Sequence, residues 1–449
     1  MTGKQLILDV LNGKEVERTP WVPYTGVQIA SLKGYTAEEM LKDGDKLYEC
    51  LLESNMQYSP DGQPVVFDLQ IEAEALGCNL LWAEKAPPTV CEHPLESDKE
   101  INFHIPSKDE GRTPLILDVM KRFKAAVGET TALYGLVCGP FTLASHLRGT
   151  NIFMDMYDDP AYVKRLLAYT TDVAKAFSDY YIEAGMDIIG AVDPLISQIS
   201  PDSFQEFMSE PYTDYFKHVN SRGVHSSFFV CGDASKNLEH MSKTGPHCLS
   251  IDENIDLVKA KEVTDRYGIT ISGNIQLTVV MLLGSQQDSQ QAAIEKIDQM
   301  GKKGFILAPG CDMPFDVPKA NIIGVSQAVQ NYTATKKALE NYTKADMNIE
   351  VELPDYPNLE HSLIEVFTID SMTCAACGYM KAAADKMLAE FPGKVEVIER
   401  KITEAENIAR LGKMGIANLP TIAINGKVKY ISVIPNKEEL KTSVEESLR

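Results

Sequence analysis

The segment SSFFVCGD, Ser226–Asp233, contains the signal on which the fold assignment depends. It starts as an apolar run typical of a buried strand and ends in Cys231, which is followed by Gly232. Enzymes built on parallel α/β sheets place their functional groups where the strands end. The segment therefore predicts one βα unit of a parallel sheet, with a thiol at its carboxyl end.

Similar apolar runs alternate with amphipathic helical stretches over roughly the first 340 residues. The runs predicted as strands are Pro20–Tyr24, Val65–Gln70, Leu133–Cys138, Met186–Val192, Ser227–Cys231, Cys248–Asp252, Thr270–Asn274 and Phe305–Ala308. These eight units predict a (β/α)8 TIM barrel with its site at the C-terminal mouth. An open doubly wound sheet gives the same alternation, so periodicity alone leaves that alternative open.

The composition and the periodicity of the sequence change after Ala338. From there to His361 the sequence has two prolines, many charges and little periodicity, which is typical of a linker. We therefore predict a barrel over residues 1–340, a linker over 341–360 and a second domain over 361–449.

Charge and cysteine usage limit the classes of partner and the compartment. A net charge of -21 disfavours nucleic-acid and anionic membrane partners, which select for clustered Lys and Arg. The N-terminal apolar run Leu6–Val10 is too short for a secretory signal, and no stretch is long and apolar enough to span a membrane. Because a cytoplasmic location keeps thiols reduced, we expect no disulfide framework among the nine cysteines.

Polar residues stand at or near most of the predicted strand ends, often beside Gly or Pro. They are Asp68, Glu72, Glu74, Cys138, Asp193, Cys231, Asp252, Asn274 and Cys311. A turn residue or cap explains any one of them. Their convergence at one barrel mouth predicts a functional site.

Cys231 and Cys311 are the predicted centre of that site. Two thiolates beside an open coordination position suit Zn²⁺, which could activate a substrate thiol. Two cysteines alone are a weak metal signal, because Cys is also common as a small buried residue. Further ligands would have to come from carboxylates, of which Asp193 and Glu72 are the better placed.

The histidines offer little to such a metal. His225 precedes Cys231 by six residues, about 20 Å along an extended strand, which is too far for a shared ion. His146, His240 and His247 are expected at the surface or behind the ligands.

Ordered sequence blocks resemble the uroporphyrinogen decarboxylase superfamily over roughly residues 5–335. The blocks are VERTPWVP, DLQIEAEALG, LVCGPFTLASHLRG, DPLISQISPDSFQEF, FFVCGDASKNLEHM, LSIDENIDLVKAK, ISGNIQLTVVMLLG and FILAPGCDMPFDVPKANI. The resemblance implies a (β/α)8 barrel with its site at the mouth. The decarboxylases bind an octacarboxylate through basic residues, but here Arg18 lacks the arginine-bearing continuation, which disfavours porphyrinogen decarboxylation.

The sequence also resembles the other branch of the superfamily, the methylcobalamin:coenzyme M methyltransferases. Members of that branch hold zinc through a His-x-Cys motif and a distant Cys. Cys231 and Cys311 match these two cysteines, whereas Phe229 stands at the histidine position. Zinc would need another ligand here; alternatively, the cysteines act as thiolate nucleophiles or hold another soft metal. Because the chain has no Asp-x-His-x-x-Gly corrinoid signature, the resemblance implies that a corrinoid arrives on a separate protein.

Cys374 and Cys377 form a Cys-x-x-Cys motif before a predicted helix, which favours a thiolate and dithiol redox chemistry. The motif MTCAAC also resembles that of copper metallochaperones. The following strand, helix, Leu-Pro-Thr and Asn425-Gly426 hairpin resemble thioredoxin, although the tryptophan before its dithiol is missing. That resemblance implies a cis peptide at Pro420.

Three functions remain to be compared. The first is a corrinoid-dependent methyltransferase whose dithiol domain keeps the barrel cysteines reduced. Its predicted catalytic residues are Cys231, Cys311, Asp193, Asp68 and Asn274. Its expected partners are a corrinoid protein, a small methyl donor or acceptor and a thiol reductant, with a homodimer left open. The second is a metal-free lyase in which Asp68 or Asp193 donates a proton, and the third handles thiols or soft metals.

Overall fold

The computed structural model describes residues 1–342, 349–372, 375–416 and 418–448, with the backbone alone at 375 and 376. Two compact units result. The larger holds Met1–Ile196 and Ser200–Thr343, and the smaller is built mainly from Lys344–Arg449. In the part of the chain so described, no helix has the length and apolar character needed to cross a lipid bilayer.

The larger unit is organised around a parallel sheet of seven strands. They are β1 (Gly62–Pro64), β4 (Ala132–Cys138), β5 (Ile188–Val192), β6 (His225–Val230), β7 (Cys248–Ile251), β8 (Thr270–Ile275) and β9 (Phe305–Pro309). A separate hairpin, β2 (Asn79–Leu81) and β3 (Thr89–Glu92), lies between β1 and β4 in sequence. Each strand of the large sheet pairs with its neighbour in chain order, as in a barrel.

The segment Pro20–Tyr24 closes this sheet. The amide of Val22 donates to the carbonyl of Leu307 at 3.0 Å, and the amide of Asp61 donates to the carbonyl of Trp21 at 2.9 Å. Contact with both edges completes the ring and confirms the predicted (β/α)8 barrel. Pro20 and Pro23 lack amide protons and cannot donate backbone hydrogen bonds. This predicted strand therefore forms a single β-bridge, between Trp21 and Leu307, instead of a continuous ladder of backbone hydrogen bonds.

The second strand differs from the prediction. We expected Val65–Gln70, and the structure places it three residues earlier, at Gly62–Pro64. The carboxylate of Asp68 accepts the amide of Gln70 at 2.9 Å. This Asx turn bends the chain after Asp68, so the extended segment does not reach Gln70.

Helices surround the barrel and pack against its strands. They are α1 (Gly3–Leu11), α2 (Ala37–Leu41), α3 (Gly44–Tyr58), α4 (Ile71–Ala75), α5 (Thr113–Val127), α6 (Pro140–Arg148), α7 (Asn151–Asp158), α8 (Pro160–Glu183), α9 (Pro201–Ser203), α10 (Ser209–Ser221), α11 (Leu238–Lys243), α12 (Leu257–Arg266), α13 (Gln286–Met300), α14 (Lys319–Gln330) and α15 (Tyr332–Ala338). Single π-helical segments occur at Phe204–Met208, which joins α9 to α10, and at Leu277–Leu282.

The smaller unit is a four-stranded sheet with helices on both faces. Its strands are β10 (Ser362–Thr368), β11 (Val395–Lys401), β12 (Thr421–Ile424) and β13 (Lys427–Ile431), and its helices are α16 (Ala375–Glu390), α17 (Ala405–Lys413) and α18 (Lys437–Ser447). The sheet order is β11-β10-β12-β13, with β10 and β11 parallel and the other pairs antiparallel. Apolar residues of α16 and α18 fill one face of the sheet.

Two local predictions for the smaller unit are confirmed. The peptide between Leu419 and Pro420 is cis. Asn425 and Gly426 connect β12 to β13 with φ angles of 46° and 74°, as a type I′ hairpin requires.

Part of the segment predicted as a linker packs on the smaller unit. The hydroxyl of Tyr356 donates to Oε2 of Glu365 at 2.7 Å, and the Nζ of Lys413 donates to the carbonyl of Val351 at 2.8 Å. A Cβ at Gly426 would lie 2.5 Å from the Tyr356 ring, so this contact requires glycine. The Glu365 carboxylate is completely buried and also pairs with Arg400 at 2.9 Å.

Asp61 fastens the barrel closure, and its loss should destabilise the barrel. Its two carboxylate oxygens accept both terminal nitrogens of Arg18 at 2.6 Å, and one also accepts the amide of Trp21 at 2.8 Å. We expect Asp61→Ala to lower the free energy of unfolding by about 2–3 kcal/mol, because it strands a partly buried guanidinium and an amide. Urea denaturation of the full-length protein measures this change.

Asp118→Ala is the matched control. Asp118 is 63% exposed and pairs with Arg122 on the surface of α5. Loss of such a pair should cost less than about 0.5 kcal/mol. Equal effects of the two substitutions would contradict a role for Asp61 in closure.

Candidate functional site

Cys231 and Cys311 meet at the C-terminal mouth of the barrel. Cys231 directly follows β6, and Cys311 lies two residues beyond β9. The two sulfurs form a disulfide across a Cα–Cα distance of 5.7 Å, although the residues are 80 positions apart in sequence. The prediction of free thiolates at this position therefore differs from the structure.

Glycine allows the loop after β9 to reach this position. A Cβ at Gly310 would lie 2.4 Å from the backbone nitrogen of Glu253, in the loop after β7. Any larger residue would push Cys311 away from that loop. Asp312, on the other side of Cys311, was missed by the sequence analysis, and burial raises the pKa of its carboxyl to about 7.

An aromatic layer lies beneath the disulfide. Phe229 is 1% exposed, and its ring centroid lies 4.6 Å from that of Tyr24 and 5.5 Å from that of Phe67. Both cysteines pack against the apolar cluster that contains these rings. The mouth of the barrel thus has an apolar floor covered by two sulfurs.

The donor set does not fit a zinc ion. Phe229 supplies no donor, and both sulfurs are already bonded to each other. Among the described residues, no group of three His, Cys, Asp or Glu side chains is arranged to hold a metal. The prediction of a metal held by Cys231, Cys311 and Glu72 is therefore not supported by this geometry.

The histidines lie on other elements of the barrel. His225 begins β6, at the opposite end from Cys231, and its ring meets that of His247 edge-on with the ring centroids 5.0 Å apart. His240 packs on Phe204. His146 is buried on α6, and burial lowers its pKa to about 3, so its ring is neutral.

An arginine missing from the sequence predictions organises the acidic side of the mouth. Arg112, at the start of α5, donates to Asp68 at 2.7 Å and to Glu74 at 2.6 Å. Its Nη2 is buried and has no hydrogen-bond partner among the described residues. The acidic residues Asp68 and Glu74 are the signal in the sequence for a nearby cation, and they do not identify which residue supplies it.

Glu72 is a buried carboxyl with an unused oxygen. One oxygen accepts the amide of Cys138 at 3.1 Å, and Oε2 is without a partner in the described parts of the chain. Burial raises the pKa of Glu72 to about 8, so the side chain is largely neutral near pH 7. It can therefore hold a proton that an ordinary glutamate would release.

Asp193, predicted as catalytic, accepts four hydrogen bonds from groups of the protein itself. Its carboxylate accepts the amides of Phe141 and Thr142 at 2.9 and 3.1 Å, and the Thr142 hydroxyl at 2.7 Å. The hydroxyl of Tyr212 also donates to it. Asp193 thereby holds the first turn of α6, which starts at Pro140.

Asn274 is likewise occupied by structural contacts. Its amide nitrogen donates to the carbonyls of Asp252 and Ile255 at 2.8 Å, and its oxygen accepts Lys296 at 2.7 Å. It ties the loop after β7 to β8. Its predicted catalytic role is therefore not supported by its contacts.

The dithiol motif of the smaller unit is described only in part. Cys374 lies outside the described residues. Cys377 is completely buried on α16, which begins at Ala375.

Glu72 should make stability depend on pH. Because its folded pKa is raised, the folded state binds more protons than the unfolded state between the ordinary glutamate pKa and about 8. Stability should therefore fall as pH rises through this window, by about 1.4 kcal/mol per pH unit from this group. Glu72→Gln should remove that contribution and stabilise the protein at pH 7 and above.

Urea denaturation at several pH values tests this expectation. The difference in stability between Glu72→Gln and the natural chain should grow up to about pH 8 and then stay constant. Glu262→Gln, at an exposed position on α12, is the control and should give a curve parallel to that of the natural chain. A parallel curve for Glu72→Gln would refute the assignment.

Both parts of the chain are similar to known protein families. The profile of the family described as uroporphyrinogen decarboxylase (URO-D) matches residues 2–332, and a profile described as a thioredoxin domain matches residues 363–445. A methylcobamide:CoM methyltransferase, MtbA, of Methanosarcina acetivorans is 26% identical over 341 residues, covering 74% of this chain and 98% of that protein. A methylcobamide:CoM methyltransferase, MtaA, of Methanosarcina barkeri is 28% identical over 355 residues, with coverages of 74% and 99%.

A solved structure agrees with the fold. A methyltransferase from Methanosarcina mazei superposes with a TM-score of 0.69 at 24% identity, covering 74% of this chain and 99% of that one. These findings confirm the predicted barrel, the thioredoxin-like second domain, the prediction of an enzyme and the resemblance to the methyltransferase branch. Since the URO-D profile spans most of its length, the chain belongs to the uroporphyrinogen decarboxylase family.

Proposed function

We propose that the protein transfers a methyl group between a corrinoid on a separate protein and a small acceptor bound at the barrel mouth. The observation that carries this proposal is the match to nearly the whole length of two methylcobamide:CoM methyltransferases, at 98% and 99% of their chains. The corrinoid would supply an activated methyl group. Since the sequence carries no corrinoid-binding signature, we assign the corrinoid to a partner protein in the cytoplasm.

The acceptor would lie over the two sulfurs, above the apolar floor formed by Phe229, Tyr24 and Phe67. Such a surface excludes water and favours an apolar methyl group over a hydrated ion. The two sulfurs of Cys231 and Cys311 border the same surface. No metal takes part in this proposal, because the donor set does not fit one.

Arg112 and Glu72 give the site its polar specificity. The unused Nη2 of Arg112 can donate to an anionic group of the acceptor, such as a sulfonate or carboxylate. A thiol acceptor gives up its proton when it is methylated. That proton passes to solvent, because burial keeps the Glu72 carboxyl largely protonated near pH 7, where it can instead donate a hydrogen bond to the acceptor.

The lyase alternative is less consistent with these contacts. It needs Asp68 or Asp193 as a free proton donor. Asp68 is paired with Arg112, and Asp193 accepts four hydrogen bonds. Both carboxylates thus act as acceptors from groups of the protein itself.

An anaerobic assay with methylcobalamin and two thiols tests the proposal. Loss of the methylcobalamin absorption spectrum reports transfer to 2-mercaptoethanesulfonate, which is anionic, or to 2-mercaptoethanol, which is neutral. Arg112→Gln should raise the KM for the sulfonate thiol by about 10- to 100-fold, as expected for loss of a hydrogen bond to a charged group. The KM for the neutral thiol should change little.

Arg112→Lys is the conservative control, since it keeps the charge and should retain most of the preference for the anionic thiol. No transfer to any thiol by the natural chain would contradict the methyltransferase proposal. Equal loss of activity with both thiols in Arg112→Gln would contradict the assignment of Arg112 to the anionic group.

A further inference from the structure

We propose that the Cys231–Cys311 pair is an exchange site for low-molecular-weight thiols, at which two such thiols are oxidised to a disulfide while the pair is reduced. The groups that carry this activity all lie at the mouth of the barrel. The activity is separate from methyl transfer and does not depend on it.

The loop that carries Cys231 is held by hydrogen bonds on both sides of the cysteine. Before it, the carbonyl of Phe229 accepts the amide of Asp193 at 2.8 Å. After it, the amide of Gly232 donates to Oδ2 of Asp252 at 2.7 Å. Neither bond involves sulfur, so the position of Cys231 does not depend on the disulfide.

The loop that carries Cys311 is fixed in the same way. The amide of Gly310 donates to the carbonyl of Ile275 at 3.0 Å, and the amide of Met313 donates to the carbonyl of Tyr24 at 3.1 Å. Both flanking bonds go to the backbone of the barrel. Reduction of the disulfide therefore leaves this loop in place as well.

The two anchored loops keep the cysteines in reach of each other. Their Cα atoms are 5.7 Å apart, within the usual range for a disulfide. Two thiols held at this separation have a high effective concentration toward each other. The bond between Cys231 and Cys311 can therefore open and close without rearrangement of the fold.

Small thiols have access to this pair but not to most other cysteines of the barrel. Cys231 and Cys311 are both partly exposed at the mouth. The cysteines buried in the barrel unit are Cys50, Cys78, Cys138 and Cys248. An incoming thiolate can thus attack the disulfide while it leaves these thiols untouched.

The surroundings accommodate the reduced form of the pair. Oδ1 of Asp312 lies 3.4 Å from Sγ of Cys311, so the thiol can donate its proton to a carboxyl oxygen after the bond opens. Phe229 offers the cysteines an apolar contact without a lone pair. In the cytoplasm, where the sequence places this protein, disulfides are usually transient and catalytic.

The exchange has two steps. A small thiol loses its proton, and the thiolate attacks one sulfur of the pair. The Cys231–Cys311 bond breaks, and the released cysteine thiolate takes up a proton. A second small thiolate then attacks the small-molecule sulfur of this mixed disulfide, so that the small disulfide leaves and the second cysteine is protonated. Two electrons and two protons pass to the pair, and a small disulfide as oxidant reverses both steps.

A redox titration of the full-length chain tests the proposal. Cys374→Ser and Cys377→Ala are introduced together so that exchange at the second domain cannot contribute, and the natural chain is titrated in parallel. Oxidised and reduced samples are equilibrated anaerobically with mixtures of 2-mercaptoethanol and 2-hydroxyethyl disulfide, then quenched with acid and N-ethylmaleimide. Mass spectrometry of unreduced peptides quantifies the pair linked through Cys231 and Cys311. Both starting states should give the same two-electron transition in both chains.

Single substitutions test whether the two cysteines act as a pair. In Cys231→Ser, the mixed disulfide between Cys311 and mercaptoethanol should rise at least about tenfold, because no neighbouring thiol displaces it. Cys91, the exposed cysteine of β3, is the control within the same samples. Its mixed disulfide should be equally abundant in all chains.

Four outcomes would overturn the proposal. The linked peptide pair fails to form under the most oxidising mixture, or it opens only after urea unfolds the protein, which would make it a structural crosslink. Equal amounts of mixed disulfide at Cys311 with and without Cys231 would show that the two sulfurs do not exchange. A zinc ion retained by the reduced protein and lost in Cys231→Ser would make the cysteines metal ligands. Methyl transfer enters none of these measurements, so their failure is distinguishable from failure of the proposed function.

Discussion

Closure of the sheet by Pro20–Tyr24 is the constraint on which the rest of the barrel depends. Two prolines leave this segment few amide donors, so the bonds of Pro20, Trp21 and Val22 to the two sheet edges carry the contact. In an open sheet, the ends of β6 and β9 would be three strand spacings, about 14 Å, apart. Curvature into a ring turns that row of strand ends into a circle, and the loops beyond the strands can then meet over its centre.

Phe229 shows how one side chain changes the character of a shared scaffold. Its position on β6 faces the barrel interior, where Tyr24 packs against it and keeps its own hydroxyl bonded to Ser250 and Ser272 at 2.9 and 2.8 Å. The Tyr24 hydroxyl below the mouth is thus satisfied within the protein. What remains at the surface is sulfur over hydrocarbon, an environment that favours covalent chemistry and binding of apolar groups.

The sequence predicted the convergence of strand ends, because apolar runs that stop at a polar residue are visible without any long-range information. It could not predict where those polar groups point. Asp193 and Asn274 stand at strand ends like Cys231, yet groups of the protein itself occupy them. Asp193 accepts bonds from the start of α6 and from two hydroxyls, and Asn274 bonds to two carbonyls of the loop after β7 and to Lys296. Periodicity does not distinguish a group aimed at a ligand from one that holds a loop.

Contacts between residues far apart in the sequence were equally impossible to predict from its pattern. Arg112 lies 44 residues from Asp68, in a stretch whose pattern indicates only a helix start, and its partners become apparent only when α5 is packed. The predicted extension of this strand to Gln70 was wrong for a local reason, because the Asx turn at Asp68 bends the chain before that residue. The pairing of Cys231 with Cys311 becomes apparent only when the strands close into a barrel, because nine cysteines allow many different pairings.

The contacts of Tyr356 show that the smaller unit starts before its first strand. Its hydroxyl supplies one of the donors that make burial of the Glu365 carboxylate tolerable, and its ring fills the space above Gly426. A chain cut at residue 361 would expose that carboxylate and leave the hairpin turn uncovered. The module that evolution could join to other barrels is therefore longer than its secondary structure suggests, and it carries its own N-terminal cover.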